Sequence, residues 1–317
     1  MDNKAFRRYK KGLSFLKDND EAPAPRPVFA IVAAFNPDAE FVRRFELLQP
    51  HVDKVIVVND GSDQRYAETF DAISELGALV IHNLRNSGIA TALNAGVRRA
   101  LELANPFFAL TMDQDSSLDV DYVRRAISTY EAARTAGVNV GLVSAETFNG
   151  VPALKDGFIG GTFGVPFDPW QSGMLVPSEV FDTGVWFNEA YFIDNVDSEF
   201  ALRIKAIGYA PIMGEGCNLN HNLGEKRTGK FFGRQVEYTY HAPKRIYYIT
   251  RNSFFLAQDF AVKYPKWFVR KAFHDILNQA VRLVLAEDKT TVVRMIVAGA
   301  KDGLARRAGR FEDGHAV

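Results

Sequence analysis

An apolar run leads directly into two closely spaced carboxylates in Phe107-Phe-Ala-Leu-Thr-Met-Asp-Gln-Asp-Ser-Ser117. The apolar half predicts a buried strand, and a helical pattern begins near Leu118. Asp113 and Asp115 therefore stand where the predicted strand ends. Both can reach one Mg²⁺ or Mn²⁺, because these cations prefer oxygen ligands and share them with substrate diphosphates. Helix capping by Asp115 or one of the two serines after it is the simpler alternative, since the D-x-D pattern is short and common.

Three similar units precede this stretch. Val28–Ala34, Val55–Val58 and Ala78–His82 are apolar runs of strand character, and a helical pattern follows each one. Four alternations of strand and helix predict a doubly wound, mostly parallel α/β sheet. Ligands of such sheets bind beyond the carboxyl ends of the strands. The polar or glycine positions predicted at those ends are Asn36, Asp60, Arg85 to Gly88, Asp113 and Asp115.

The pattern continues less regularly up to residue 225. A strand is predicted over 138–144, a loop or β excursion over 146–170, a strand over 171–176 and a loop over 218–224. A helix begins near Asp194 and Asp197 and ends at Gly208. A carboxylate at a helix start is stabilised in its ionised form, so Asp197 is a candidate general base. An N-terminal helix cap is the structural alternative for the same residue.

The C-terminal third differs in charge and in pattern. Residues 226–317 contain 18 Lys and Arg against 8 Asp and Glu, and the rest of the chain carries the opposite excess. This asymmetry indicates either an anionic partner or mutual neutralisation across an internal interface. A basic loop is predicted over 226–230, followed by helices over 244–263, 265–286 and 290–308. In the middle helix we expect the apolar stripe from Phe268 to Val284 to pack against protein. We expect its basic and aromatic start, Lys266 to Lys271, to contact an anionic membrane surface.

Composition limits the class of protein. The 317 residues are 47% hydrophobic and 24% charged, as in globular proteins, and the single cysteine excludes an intramolecular disulfide framework. No secretory signal or run of about 18 apolar residues is present. We expect a cytoplasmic protein, peripheral at the inner face of the cell membrane, with no nucleic-acid partner; homo-oligomerisation stays open. The predicted organisation is an arm over 1–27, a catalytic domain over 28–225 and a basic helical region over 226–317.

Four blocks carry a resemblance to the family 2 glycosyltransferases, which have the GT-A fold. In chain order they are Val57-Val-Asn-Asp-Gly-Ser62, Asn86-Ser-Gly-Ile-Ala-Thr-Ala-Leu-Asn-Ala-Gly96, Asp113-Gln-Asp115 and Asp197-Ser-Glu-Phe-Ala-Leu-Arg203. The blocks span roughly residues 28–224. Weaker marks resemble bacterial rhamnosyltransferases: Phe192-Ile-Asp-Asn-Val-Asp-Ser-Glu199, Tyr247-Tyr-Ile-Thr-Arg-Asn252 and the closing Asp302-Gly-Leu with Arg307 and Gly309.

The resemblance implies an inverting transfer of a sugar from a dTDP- or UDP-sugar to a saccharide or lipid-linked saccharide, with L-rhamnose from dTDP-rhamnose the expected donor. It implies Mg²⁺ or Mn²⁺ as cofactor, with Asp113, Asp115 and His221 as ligands; an exposed histidine is the alternative for His221. The implied donor-binding residues are Phe35, Asn36, Asp60, Arg85, Gly88, Asn94, Asp113 and Gln114. The implied acceptor-side or supporting residues are Ser172, Gly173, Asp194 and Glu199.

The acidic block departs from the family pattern. Many relatives have Glu-Asp where this chain has Val196-Asp197. The downstream Leu202-Arg203 fixes the register and makes Asp197 the implied base, with Asp194 as a rival. Glu199 and Arg203 are spaced for a structural ion pair on the helix.

Two other functional classes stay open. A nucleotidyltransferase also binds nucleotides on an α/β sheet, but it usually has a glycine-rich basic loop soon after the first strand, which is missing after Ala34. A non-catalytic nucleotide-sugar-binding or assembly protein is the second alternative. A dehydrogenase is disfavoured, because no G-x-G-x-x-G follows a predicted strand.

Overall fold

The computed structural model describes residues 26–221, 226–231, 234–239 and 242–311. The predicted arm up to residue 25 and Gly224 lie outside those ranges. The strands are β1 Val28–Ala34, β2 Lys54–Asn59, β3 Leu79–His82, β4 Phe108–Asp113, β5 Ser116–Leu118, β6 Val140–Ser144, β7 Thr147–Phe148, β8 Val151–Pro152, β9 Lys155–Ile159, β10 Phe163–Pro166, β11 Met174–Pro177, β12 Ala210–Met213, β13 Asn218–His221, β14 Lys226–Phe231 and β15 Arg234–Thr239. The helices are α1 Phe41–Leu48, α2 Ala67–Glu75, α3 Ile89–Leu103, α4 Tyr122–Thr135, α5 Glu179–Asp182, α6 Val196–Ala206, α7 Pro243–Phe260, α8 Pro265–Leu285 and α9 Lys289–Leu304.

The main sheet has seven strands within the described residues, in the order β12-β6-β11-β4-β1-β2-β3. Strand β1 pairs in parallel with β2 and with β4, and β12 pairs in parallel with β6. Only β11 of this sheet runs antiparallel to its neighbours, β4 and β6. The predicted mixed, mostly parallel sheet flanked by helices, with a helical C-terminal region, is confirmed.

Both faces of the sheet are covered, which explains why its strands are continuous apolar runs. On one face α1, α2 and α4 pack over the sheet through Phe41, Phe70 and Tyr122, which are all buried. On the other face α3, α6 and α7 contribute buried side chains such as Leu93 and Phe200. Because apolar side chains fill both layers, the strands and their register are held firmly.

The register places polar strand ends beside one another. Ala34 of β1 lies opposite Asn59 of β2, and Ala33 lies opposite Asp113 of β4. Asp60 and Asp113 are therefore carried at the same edge of the sheet, two strands apart. This is the edge at which ligand-binding residues were predicted to collect, because ligands of such sheets bind beyond the carboxyl ends of the strands.

A helix start and a loop that were predicted near this edge are strands instead. The predicted helix near Leu118 starts only at Tyr122, because β5 intervenes and pairs antiparallel with β13. The predicted loop over 218–224 therefore begins as strand β13, whose register sets His221 opposite Ser116. The capping alternative for Asp115 is wrong, since α4 begins seven residues later and its N-cap is Asp121.

The predicted basic loop over 226–230 is also a strand. Lys226–Phe231 pairs antiparallel with Arg234–Thr239 along six residue pairs. A strand needs backbone partners rather than an apolar pattern, and here the partner follows within a few residues. Sequence periodicity alone did not show this hairpin.

Helix α8 lies in the reverse of the predicted orientation. At its start, Trp267 is buried and donates its indole N–H to the Phe167 carbonyl at 2.6 Å, so it does not face a membrane. Along the predicted packing stripe, Phe273 and Ile276 are 66% and 69% exposed. The contacts of Trp267 with Phe167, which follows β10, hold this side of the helix against the protein. None of the helices in the described residues combines the length and the apolar composition needed to span a bilayer.

Small residues let α9 approach α7 closely. A Cβ on Gly299 would lie 2.6 Å from the Tyr247 carbonyl oxygen, and one on Gly303 would lie 2.6 Å from the Phe254 Cβ. Between them Asp302 accepts a hydrogen bond from the Tyr247 hydroxyl at 2.8 Å. The closing Asp302-Gly303 pair therefore joins the two helices.

Candidate active site

A cavity of about 670 Å³ opens at the carboxyl edge of β1 and β4. The sheet side of this cleft carries the predicted acidic residues, namely Asp60, Asp113, Asp115, Asp194 and Asp197. The opposite wall is built from α7 and α8. Residues from distant parts of the chain thus meet around one space large enough for a substrate.

Asp113, Asp115 and His221 lie close together in the cleft. One side-chain atom of each lies within 4.8 Å of the other two. His221 Nδ1 is 3.2 Å from Asp115 Oδ1 and 2.7 Å from Ser116 Oγ. The β5–β13 pairing produces this closeness, since it brings His221 opposite Ser116. Two carboxylates and an imidazole form a donor set that fits a divalent cation.

The pKa values of this group are those expected where negative charges lie close together without a cation. Burial, followed by the charge of Asp115, raises the pKa of Asp113 to about 6. Burial alone would lower the pKa of His221, but its hydrogen bond with Asp115 and the charges of Asp115 and Asp113 outweigh burial and raise it. A cation at this point would relieve both effects, because it favours ionised carboxylates and neutral imidazole.

Asp197 lies in the first turn of α6 and lines the same cleft. Its carboxylate accepts hydrogen bonds from the backbone N–H groups of Gln171, at 3.2 Å, and of Ser198, at 2.9 Å. The N-cap residue is Asn195, two positions earlier, so the capping alternative for Asp197 is wrong. Burial and then the charge of Asp168 raise the pKa of Asp197 to about 7. The expected effect of the helix start is therefore outweighed by burial.

Asp168, Lys271 and Asp275 form a charged cluster next to Asp197. Ser198 donates its hydroxyl to Asp168, and Lys271 Nζ lies 3.6 Å from the second oxygen of Asp168. The same ammonium group binds Asp275 at 2.8 and 3.0 Å. Burial opposes the charge of Lys271, but Asp168 and Asp275 outweigh it and raise its pKa. Within this cluster the charge of Asp168 raises the pKa of Asp197, and the charge of Lys271 from α8 lowers it.

The loop that leads into α6 has an unusual backbone. Phe192, Asp194 and Asn195 have φ angles of 62°, 64° and 58°, a left-handed region that is costly for residues with a side chain. The fully buried Asn252 of α7 holds the loop by donating to the carbonyls of Tyr191, Ile193 and Asp194, at 2.9, 2.7 and 2.8 Å.

Arg251 extends the same support. Its guanidinium donates to the Ala190 and Tyr191 carbonyls at 3.1 and 2.8 Å and to the Gly309 carbonyl at 2.6 Å. Together with Asn252, this buried arginine determines the path of the chain before Asp197. The rhamnosyltransferase-like Arg251-Asn252 and Gly309 marks are therefore parts of one structural support.

Four of the predicted donor-side residues line the cleft in addition to Asp113. Phe35 and Gln114 are linked, since the Gln114 amide bonds both the N–H and the carbonyl of Phe35, at 2.8 and 3.2 Å. Asp60 accepts from the Gly88 N–H at 2.8 Å. Gly88 has φ 94°, and a Cβ there would lie 2.4 Å from the Phe192 carbonyl oxygen, so no other residue fits.

The other three predicted donor-side residues are not among those lining the cleft. Asn94 is buried, and its amide is engaged with the Phe187 backbone and with Glu189. Asn36 bridges the turns after β1 and β2 through Ser62 and Asp63. Arg85 is exposed and lines a neighbouring cavity of about 540 Å³. Neither a position after a strand nor the family resemblance distinguished these structural roles from ligand contact.

Of the predicted acceptor-side residues, some line the cleft and others do not. Ser172 lines the cleft and accepts from the Asp113 N–H at 3.0 Å, while Gly173 lies behind it and accepts from the Tyr122 hydroxyl at 2.6 Å. Asp194 lines the cleft and binds Arg245 at 3.0 Å. Glu199 is buried outside the cleft lining and binds Arg203 at 2.7 Å, which is the expected structural pair.

Several residues of the cleft were not predicted. They are Asp168 and Trp170 from the β10–β11 connection, and Arg245, Lys271, Asp275, Asn278 and Arg282 from α7 and α8. The i, i+4 spacing of Lys271 and Asp275 was a usable signal for an ion pair. Which way that pair faces depends on how α8 packs, which the spacing does not show.

Comparison with known proteins agrees with this architecture. Residues 30–179 match the sequence profile described as Glycosyl transferase family 2. These residues, just under half of the chain, therefore resemble a family 2 glycosyltransferase domain. It is 25% identical to the dTDP-rhamnosyl transferase RfbF of Shigella flexneri over 290 residues, which are 87% of this chain and 95% of that protein.

A solved structure shares the fold. The mannosyltransferase PcManGT from Pyrobaculum calidifontis, in complex with GDP-Man and Mn²⁺, superposes with a TM-score of 0.50 at 19% identity, covering 95% of this chain and 93% of that one. The fold is the GT-A fold of glycosyltransferases. The resemblance to a family 2, rhamnosyltransferase-like protein is confirmed.

Proposed function

We propose that this protein is an inverting, divalent-metal-dependent glycosyltransferase. Its expected donor is dTDP-rhamnose, in keeping with the name of the Shigella relative, and its acceptor is a hydroxyl of a saccharide or lipid-linked saccharide of a bacterial surface polysaccharide. The observation that carries the proposal is the single cleft that holds Asp113, Asp115 and His221 together with Asp197.

The proposed base is Asp197. In a single displacement, the bond from the acceptor oxygen to the anomeric carbon forms as the bond to the diphosphate breaks, and the hydroxyl proton passes to Asp197. A base works best when its pKa is near the working pH, and a pKa of about 7 meets that condition. Such a base contributes about 10²–10⁴ in rate.

The leaving group is the nucleoside diphosphate, whose charge grows as the bond breaks. Asp113, Asp115 and His221 would hold Mg²⁺ or Mn²⁺, which supplies Lewis-acid stabilisation of that charge when bound. The Ser172 hydroxyl, which accepts from the Asp113 N–H, fixes the backbone next to this site. Phe35, Gln114 and Asp60 lie where the nucleoside half of the donor would extend along the sheet edge.

The test is sugar transfer by purified protein from dTDP-rhamnose and from UDP- and GDP-sugars, with Mn²⁺ and with a chelator. Released free sugar is measured as well, because donor hydrolysis separates an enzyme from a binding protein. We expect Asp197→Asn to bind the donor as wild type does and to lose transfer, while the exposed Asp182→Asn control stays active. Transfer at the wild-type rate by Asp197→Asn would reject Asp197 as the base, and neither transfer nor hydrolysis by wild type would reject the enzyme.

A further inference from the structure

The C-terminal helices contribute a charged wall to the cleft. Its side chains are Arg245, Ile249, Lys271, Asp275, Asn278 and Arg282. Three of these six are cations, and they face a floor of carboxylates. The three cations differ in whether the protein itself supplies a carboxylate partner.

Two of the three cations are paired within the protein. Lys271 binds Asp275 at 2.8 Å and lies 3.6 Å from Asp168. Arg245 binds Asp194 through Nε at 3.0 and 3.3 Å. Their charges are therefore compensated locally.

Arg282 differs from both. Among the residues that the structure describes, it has neither a carboxylate oxygen within 4.0 Å of its guanidinium nor a hydrogen-bond acceptor, although it is half-buried at the cleft. Burial lowers the pKa of Arg282; the charge of Asp194 raises it in part, and the charge of the nearby Arg245 lowers it. A guanidinium stays charged at neutral pH, so it needs an anion to offset the loss of water.

Both arginines line the cleft, and Arg245 is near enough to the predicted metal ligands for their charges to act on it. Asp194, Asp113 and Asp115 all act on the charge of Arg245, and Arg245 in turn repels Arg282. An anion that spans both guanidinium groups would remove this repulsion. A guanidinium group can donate two parallel hydrogen bonds to the oxygens of one phosphate. Carboxylates carry the same sign of charge as phosphate and cannot bind it in this way.

We infer that Arg245 and Arg282 bind the diphosphate group of a substrate of this cleft, carried either by a nucleoside or by a lipid. The inference rests on the proposed function, because that function brings diphosphates to the cleft. It adds an anion site on α7 and α8 to the metal site at the sheet edge. Asp194 would then hold Arg245 in place for the ligand.

The test is calorimetric titration of the full chain with Mn²⁺ present. The ligands are inorganic pyrophosphate, dTDP with UDP and GDP as alternatives, farnesyl diphosphate as a short lipid diphosphate, and thymidine. The variants are Arg282→Gln, Arg282→Lys and the control Arg294→Gln, which changes an exposed arginine on α9 outside the cleft. A thermal melt of each variant monitors folding.

We expect Arg282→Gln to weaken pyrophosphate binding about tenfold or more, as loss of a charged hydrogen bond does, with thymidine and the control unaffected. Arg282→Lys should recover part of the affinity. Selective weakening of the nucleoside diphosphate would assign the site to the donor, and selective weakening of farnesyl diphosphate would assign it to a lipid-linked acceptor. Wild-type affinity of Arg282→Gln for all the diphosphates would overturn the inference.

The two proposals fail separately. If wild type transfers sugar and Arg282→Gln keeps its KM for donor and acceptor, the anion site is rejected and the enzyme stands. If wild type binds pyrophosphate through Arg282 but transfers no sugar from any nucleotide sugar, the anion site stands and the proposed function is rejected.

Discussion

Replacing Asn252 with leucine tests how the loop before the proposed base is held. Its amide is buried and donates to three backbone carbonyls, those of Tyr191, Ile193 and Asp194. Leucine has a similar size, but it has no donor and no acceptor for the Arg251 Nε–H, which donates to the Asn252 side-chain oxygen at 3.0 Å. The left-handed residues of this loop would then lose the contact that compensates their backbone strain.

The size of the effect follows from the number of donors. Asn252 has two N–H groups for three carbonyls, so the loss is closer to two full hydrogen bonds than to three. A hydrogen bond contributes about 1 kcal/mol net, and a buried carbonyl left unpaired costs about 1–3 kcal/mol. We expect the free energy of unfolding to fall by about 2–4 kcal/mol, which lowers Tm by roughly 3–6 °C in a chain of this length.

The assay has a stability arm and an activity arm. Asn139→Leu is the matched control, because Asn139 is exposed and its amide donates to one carbonyl, that of Gly208. Asn252 does not line the cleft, so it acts as a positioning residue: we expect kcat to fall more than KM for the donor rises. Equal Tm and equal kcat in Asn252→Leu and Asn139→Leu would refute the reasoning.

Three further outcomes follow from the cleft. The rate of transfer should rise with pH through about 7, because the raised pKa of Asp197 leaves the base protonated below that value; a flat profile between pH 6 and 8 would contradict this. Lys271→Met removes a cation that lowers the pKa of Asp197, so the rising limb should move to higher pH, whereas an unmoved limb would show that Lys271 serves only packing. His221→Ala should weaken Mn²⁺ binding in calorimetry by about tenfold or more while nucleoside binding persists, and unchanged Mn²⁺ affinity would remove His221 from the ligand set.

Much of the sheet was predictable because its physical cause is local. Val28–Ala34 is apolar at every position, and a strand buried on both faces requires that pattern. The edge position of Asp113 then followed from the polarity of parallel strands. The antiparallel direction of β11 was not predictable, because the composition of a four-residue strand does not indicate whether it runs parallel or antiparallel to its neighbours.

The residues that were missed depend on distant partners. Strand β13 is short and polar, and it exists because β5 lies beside it about 100 residues away in sequence. Lys271 belongs to a basic, aromatic helix start that also fits a membrane surface. Its inward direction is determined by the burial of Trp267 against Phe167. Conversely, Asn94 lies within α3 and matches a block of the family resemblance, but the Phe187 backbone occupies its side chain.

The central claim is that a metal site and a base face each other across one cleft. A crystal of the protein with Mn²⁺ and a non-hydrolysable dTDP-rhamnose analogue, measured at the manganese absorption edge, tests it directly. We predict one anomalous peak within bonding distance of Asp113, Asp115 and His221, with the anomeric carbon of the sugar facing Asp197. A peak elsewhere, or a sugar turned away from Asp197, would contradict the account.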